Sequence, residues 1–488
     1  MYDYIVVGAG TAGCTLAARL TEDPKTQVLL MEAGPPDRRR EIQIPAVYSK
    51  LFGSALDWKD STEPQQHLNG RRIAWPRGRV LGGSGSLSAM IHLRGCAADY
   101  AGWPAGWRYE DLAPLFTEAP ERVQAEANPL SRAFLEACEA CGISRYGDAF
   151  EGPGQAGAGF FPLLHRNGAR WSAARSELRT ALRRGNLTVW TGIQAARVAI
   201  ENDRAVGVEY LQKGSRYQAS AAREVILCAG AVGSAQLLLL SGVGPSEELE
   251  ALGIQVAAAV PGVGRNLQDH LGVALAYSCT QPVSLAGSAT PLNMVRYATR
   301  KDGPLASNVA EAGAFVKSEA DLEACDVEII CAPLASLDSG LAAATGDAFS
   351  LTAVLLAPQS RGRITLESAD PVAAPRIDPQ YLSHAEDRVR MIEGIARARS
   401  IAGSQAFAEF RGAVISGDLE AQALSLHNAC GSCSMGEDAE GVVDAALEVH
   451  GVAGLRVADA SIMPQIPRAH PSATVMAIAE KAARLIRA

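Results

Sequence analysis

Gly8-Ala9-Gly10-Thr11-Ala12-Gly13 is the first stretch of the chain whose residue types and spacing could do chemistry. It follows the apolar run Tyr2 to Val7 and opens a segment with Leu16, Ala17 and Leu20 at helical spacing. In that setting a G-x-G-x-x-G pattern binds a dinucleotide. Gly8 permits the tight turn, Gly10 lets backbone approach a pyrophosphate, and Gly13 lets the helix pack closely on the strand. The unpaired N–H groups of the helix start, at Thr11 and Ala12, then face the phosphates. Glu32, followed by Ala33, ends the next apolar run and is placed to accept hydrogen bonds from an adenosine ribose. An acidic residue there disfavours a 2′-phosphate and hence NADP; the motif alone does not separate FAD from NAD. A second candidate is Arg77 to Gly95, where Gly82 to Ser88 holds three glycines and three serines in seven residues, suited to backbone lying against a flat ligand. A third is Cys430-Gly431-Ser432-Cys433, the spacing of a thiol–disulfide centre or simply two packed thiols. The eight histidines include no His-Glu-x-x-His, and no Gly-x-Ser-x-Gly occurs, so metal and serine hydrolase readings fall.

Positioning these residues calls for a βαβ unit. Tyr2 to Val7 reads as a strand, Thr11 to Thr21 as a helix and Gln27 to Met31 as a second strand ending at Glu32. Parallel strands joined by a helix imply a doubly wound sheet with its ligand at the carboxyl ends of the strands. Pro35 to about Gly95 dissolves into loops, Leu187 to Leu211 reads as alternating strands with a turn at Asn202-Asp203, and Arg223 to Cys228 is an apolar strand. The stretch from about 272 to 425 mixes strand and helix patterns without a chemical signature. Leu455 to Ala458 resumes as a strand and Ala473 to Arg487 as a helix. Nucleotide-type features at both ends imply discontinuous domains. The expected nucleotide-binding domain comprises residues 1–40, 75–95, 185–270 and 440–488; the substrate domain comprises 41–74, 96–184 and 271–439.

A chain of 488 residues with 48% hydrophobic and 20% charged residues is an α/β enzyme profile, long enough for two domains. A net charge of −8 argues against a nucleic-acid partner, and Arg38-Arg39-Arg40 reads as a solvated loop. The ten cysteines suggest buried thiols in a reducing compartment. The most apolar stretch, Val225 to Val243, is interrupted by Gly230, Gly233, Ser234, Gln236 and Ser241 and reads as strand, turn and helix, not a membrane span. With no secretory signal at the start, the expectation is a soluble, cytoplasmic protein.

Taken in order, several blocks resemble the glucose–methanol–choline oxidoreductase family, over nearly the whole chain. They are Asp3 to Leu20, Gly78 to Gly95, Gly230 to Gly244, Pro261 to His270, Ser360 to Arg363, Pro375 to Pro379 and Gly454 to Pro464. The resemblance implies a Rossmann-like FAD-binding domain and a discontinuous substrate domain on a large antiparallel sheet with helices. It places FAD against Gly8, Gly10, Thr11, Ala12, Gly13, Glu32, Ala33 and Val80, with Gly82 to Ser88, including Gly83, Ser84 and Leu87, along the isoalloxazine. The backbone near Ala195 would meet the adenine and Asp459-Ala460 the pyrophosphate–ribityl region, with Ala229 and Gly230 also among the cofactor-binding residues. Members that attach FAD through histidine carry it where this chain has Leu87, so noncovalent FAD is implied. Ser88 stands where the family usually has Asn, which removes an amide near the flavin.

The resemblance also implies a catalytic pair. His470 falls on one family position without a gap; at the other, Asn428 takes the place of the expected histidine, with His427 one residue earlier. Either His427 fills the site through an extra residue, or the pair is permuted, Asn428 hydrogen-bonding and His470 acting as base; His470 is the preferred base. Hydride leaves an alcohol carbon readily only as the hydroxyl proton is removed, and a neutral imidazole with an ordinary pKa of about 6.5 suits that proton. The expected activity is oxidation of a small primary or aromatic alcohol, with O₂, a quinone or another carrier as acceptor. A non-redox FAD member (hydroxynitrile lyase or photodecarboxylase type) and a C-x-x-C thiol oxidoreductase are the alternatives.

Overall fold

The computed structural model describes residues 1–120, 126–146, 155–336 and 346–487. Some of the expected substrate segments 96–184 and 271–439 therefore lies outside the described residues. Two seven-stranded sheets organise the molecule. In the first, Leu187–Thr191, Val28–Glu32, Tyr2–Val7, the end of Ser215–Leu227, and Leu455–Val457 run parallel in that order. Val-Leu-Leu-Met-Glu at 28–32 is buried throughout, as expected of a parallel strand covered on both faces. The helix Thr11–Leu20 lies on this sheet and Ser472–Arg487 packs against that helix, so the last element of the chain returns to the first.

Ser215–Leu227 has a double role. Its first half pairs antiparallel with Arg204–Gln212, which pairs in turn with Gln194–Glu201 across a turn in which Asn202 and Asp203 both have positive φ. The second sheet is antiparallel throughout, in the order Arg411–Ser416, Leu271–Cys279, Ala348–Leu355, Val327–Ala332, Ala312–Val316, Gly157–Phe160. The long helix Ala385–Gly403 lies on it. Val225 to Val243 is indeed a strand end, a turn and the helix Gly230–Leu240, and among the described residues no helix is long and apolar enough to cross a membrane.

Candidate active site

One cavity runs between the two sheets. At one end it is lined by Gly8, Gly10, Thr11, Ala12, Glu32, Ala33, Ala195, Ala229, Gly230, Asp459 and Ala460; at the other by Leu87, Ser88, His427, Asn428 and His470. Gly83 and Ser84 also line it. Three expected contacts stand behind the wall. A Cβ on Gly13 would collide with the carbonyl of Gly8, so Gly13 serves helix–strand packing. Gly82, at φ 93°, donates its N–H to Ala9 O at 2.7 Å and so fastens the second loop to the first. Val80 is buried with Ile42, Leu51, Leu56 and Leu87.

The nucleotide end is made mostly of backbone. Gly8 has φ 98°, and a side chain there would meet the carbonyl of Cys228. A Cβ on Gly83 would stand 2.7 Å from Gly10 Cα, so two glycine loops touch with nothing between them. Glu32 accepts from Ala9 N at 3.1 Å and Gly34 N at 2.8 Å, and burial pushes its carboxyl up to about 7. Asp459 is spent internally: it accepts from Gly230 N at 2.8 Å, Ser234 Oγ at 2.6 Å, Ser461 N at 2.8 Å and Ser461 Oγ at 2.6 Å. Only its backbone, and that of Ala460, is left for a ligand. A helix start with unpaired N–H groups, glycine loops in contact and a carboxylate at the end of the second strand, all on one cavity, fit FAD.

The other end is wired by side chains. Asn428 is buried, its N–H donating to Asp269 Oδ1 at 2.8 Å and its amide Nδ2 lying 3.0 Å from His270 Nδ1. His270 Nε2 is 3.1 Å from Leu356 O, which can only accept, so the proton sits on Nε2 and Nδ1 accepts from Asn428. Burial pushes the His270 imidazole down to about 3, which keeps it neutral. Asp269 also takes Ser425 Oγ at 2.5 Å and the hydroxyl of Tyr381, itself 3.0 Å from Trp75 Nε1. His470 Nε2 lies 3.3 Å from Oε1 of Glu328, which is 1% exposed, and its ring meets Phe161 edge-on at 6.1 Å. His427 has a left-handed backbone (φ 60°) and packs edge-on against Phe52 at 5.4 Å.

Asp269-His270, the end of the block Pro261 to His270, holds Asn428 in place. Cys430 and Cys433 are fully buried free thiols that burial holds far above the usual thiol range, which supports the packed-thiol reading of the C-x-x-C over a thiol–disulfide centre. Glu328 was not anticipated; its signal was a lone carboxylate inside the apolar strand Val327–Ala332.

Models of the GMC oxidoreductase family match residues 2–272 and 358–479. A GMC-type oxidoreductase of Mycobacterium tuberculosis is 42% identical over 99% of both chains. An alcohol dehydrogenase [acceptor] of Pseudomonas putida is 40% identical, covering 100% of this chain and 96% of its own. Among solved structures, pyridoxine 4-oxidase from Mesorbium loti superposes with a TM-score of 0.89 at 31% identity over 99% of both chains. A fungal aryl-alcohol oxidase, at 24% identity, TM-score 0.82 and coverage of 99% and 98%, shares the fold. Matched at both its N- and C-terminal regions and by relatives over nearly their full length, this chain belongs to the GMC oxidoreductase family, as an FAD-dependent alcohol oxidoreductase.

Proposed function

We propose that the protein oxidises the CH–OH group of a small, uncharged primary or aromatic alcohol to the aldehyde, with FAD held noncovalently and His470 taking the hydroxyl proton. The observation that carries this is the His470–Glu328 pair on the same cavity as the glycine loops. A buried carboxylate accepts a proton-bearing Nε2, which leaves the lone pair on Nδ1; this fixes the tautomer a base needs. Asn428, held through its amide by His270, keeps its second N–H for the substrate oxygen, so one oxygen is gripped while its proton leaves. Bound FAD would supply the hydride acceptor. His427, turned onto Phe52, is assigned no proton-transfer role.

Substrate class follows from the wall. Tyr48, Phe52, Met90, Ile91, Ala310, Ile330 and Leu426 line the reaction end, and Glu32 and Asp459 at the other end are the acids among the lining residues. No acid lines that end directly, Glu328 standing behind His470, and this supports an uncharged alcohol over a quaternary ammonium one. Leu87, with no nucleophilic atom, supports noncovalent FAD. The cytoplasm is the proposed location, the ten free cysteines fitting a reducing compartment. The strands of the parallel sheet support a proposed FAD-binding domain made of segments 1–40, 75–95, 185–270 and 440–488. Anaerobic mixing with benzyl alcohol, a short aliphatic alcohol and choline, followed by air, tests the reading. Flavin bleaching by the first two and recovery in air is expected of an oxidase, bleaching that needs a quinone to recover of a dehydrogenase. No bleaching by any of the alcohols contradicts it.

A further inference from the structure

The helix Pro291–Arg300 is amphipathic the wrong way round. At 100° per residue Pro291, Leu292, Met294, Val295 and Ala298 share one side, and that side faces solvent: Leu292 is 77%, Val295 61% and Met294 52% exposed. Its polar side faces the protein. Asn293 Nδ2 donates to Ser288 O at 2.8 Å, and Arg296 pairs with Asp302 and Glu126, both at 2.7 Å. Tyr297 alone is buried, its hydroxyl 3.0 Å from Gln43 O. An apolar face held outward by polar contacts on the inward side is set to meet something apolar.

The surroundings are cationic, in a chain of net charge −8. Arg300 and Lys301 end the helix, both exposed. The carbonyl of Lys301 abuts Gly168, at the tip of the hairpin that carries the exposed Arg166. The Gln43 contact brings in the short helix Arg40–Gln43, preceded by Arg38 and Arg39, and all three arginines are exposed; Glu41 is an exposed acid among them. The run that reads in the sequence as a solvated loop thus lies beside this helix.

We propose that this face docks the protein peripherally on an anionic lipid bilayer, Leu292, Met294 and Val295 entering the interface and Arg38, Arg39, Arg40, Arg166, Arg300 and Lys301 meeting phosphate headgroups. A second copy of the chain is disfavoured because a two-fold contact sets the patch against itself, cations facing cations. A nucleic acid has no use for the exposed apolar side chains. The face is one element from the reaction chamber: Tyr297 and Leu305 share an apolar cluster with Tyr48 and Ile91, which line the cavity. A docked molecule would therefore hold its cavity wall near the bilayer, whatever the alcohol proves to be.

Sedimentation of the purified flavin-loaded protein with phosphatidylglycerol/phosphatidylcholine vesicles, against pure phosphatidylcholine vesicles, tests this. Binding to the anionic vesicles and release on raising salt from about 50 to 300 mM is expected. Leu292→Asp with Val295→Asp, and separately Arg38→Glu with Arg39→Glu, each weaken binding roughly tenfold or more, with flavin absorbance and turnover with a soluble acceptor unchanged. Wild-type protein left in the supernatant overturns the proposal, as does equal sedimentation of the variants. So does a dimer that the same substitutions dissolve, or tighter binding to a DNA duplex than to the vesicles.

Discussion

The two ends of the cavity are built on different principles. The FAD end is backbone: touching glycine loops, a helix start, and a carboxylate tied to two N–H groups within its own βαβ unit. The proposed reaction end is six side chains brought together from four separate segments of the chain, Asp269-His270, Glu328, His427-Asn428 and His470. Backbone sites depend on what is absent, so they fail all at once when a Cβ is added. Side-chain sites depend on hydrogen-bond pairs, so they fail by degrees.

The largest break is expected at the backbone end. Gly13→Val drives a side chain into the Gly8 carbonyl, and the protein should purify colourless or insoluble, as read by flavin absorbance. At the reaction end, Glu328→Gln keeps the shape but can present an N–H as well as an oxygen to His470 Nε2, so the tautomer is no longer fixed. Anaerobic flavin reduction should slow about 10- to 100-fold with FAD content unchanged. Back at the first end, Glu32→Gln should weaken FAD retention by roughly tenfold and has a pH signature. The folded carboxyl titrates near 7, above its unfolded value, so its contribution to apoprotein stability is present below about 4.5 and is lost as pH rises through about 7. Thermal unfolding of the apoprotein between pH 5 and 8 should therefore show a downward slope with pH that Glu32→Gln flattens. The smallest effect is expected at Cys430→Ser with Cys433→Ser, where turnover stays within about twofold and only stability drops.

Legibility followed the same divide. The βαβ unit, the glycine spacing, Glu32 and the Leu455–Val457 strand are local in sequence, because a strand, a turn and a helix start are fixed by neighbouring residues. The order of the antiparallel sheet was not readable, since Leu271–Cys279 pairs with Ala348–Leu355, Arg411–Ser416 and Ala423–Ser425 across long separations. At the reaction end His470, His427 and Asn428 were nameable from the family blocks. What chooses among them was not: Glu328 and His270 reach the site through folding, and spacing carries no trace of it. Arg38 to Arg40 could be read as a charge run, but not as the neighbour of a helix far along the chain.

The central claim is that His470, not His427, removes the proton. Stopped-flow reduction of the bound flavin by benzyl alcohol in His470→Ala and His427→Ala, compared side by side without oxygen, addresses it. The account predicts a loss of about 10²- to 10⁴-fold for His470→Ala and less than about tenfold for His427→Ala, both variants yellow. The reverse order, or near wild-type reduction without His470, would contradict it.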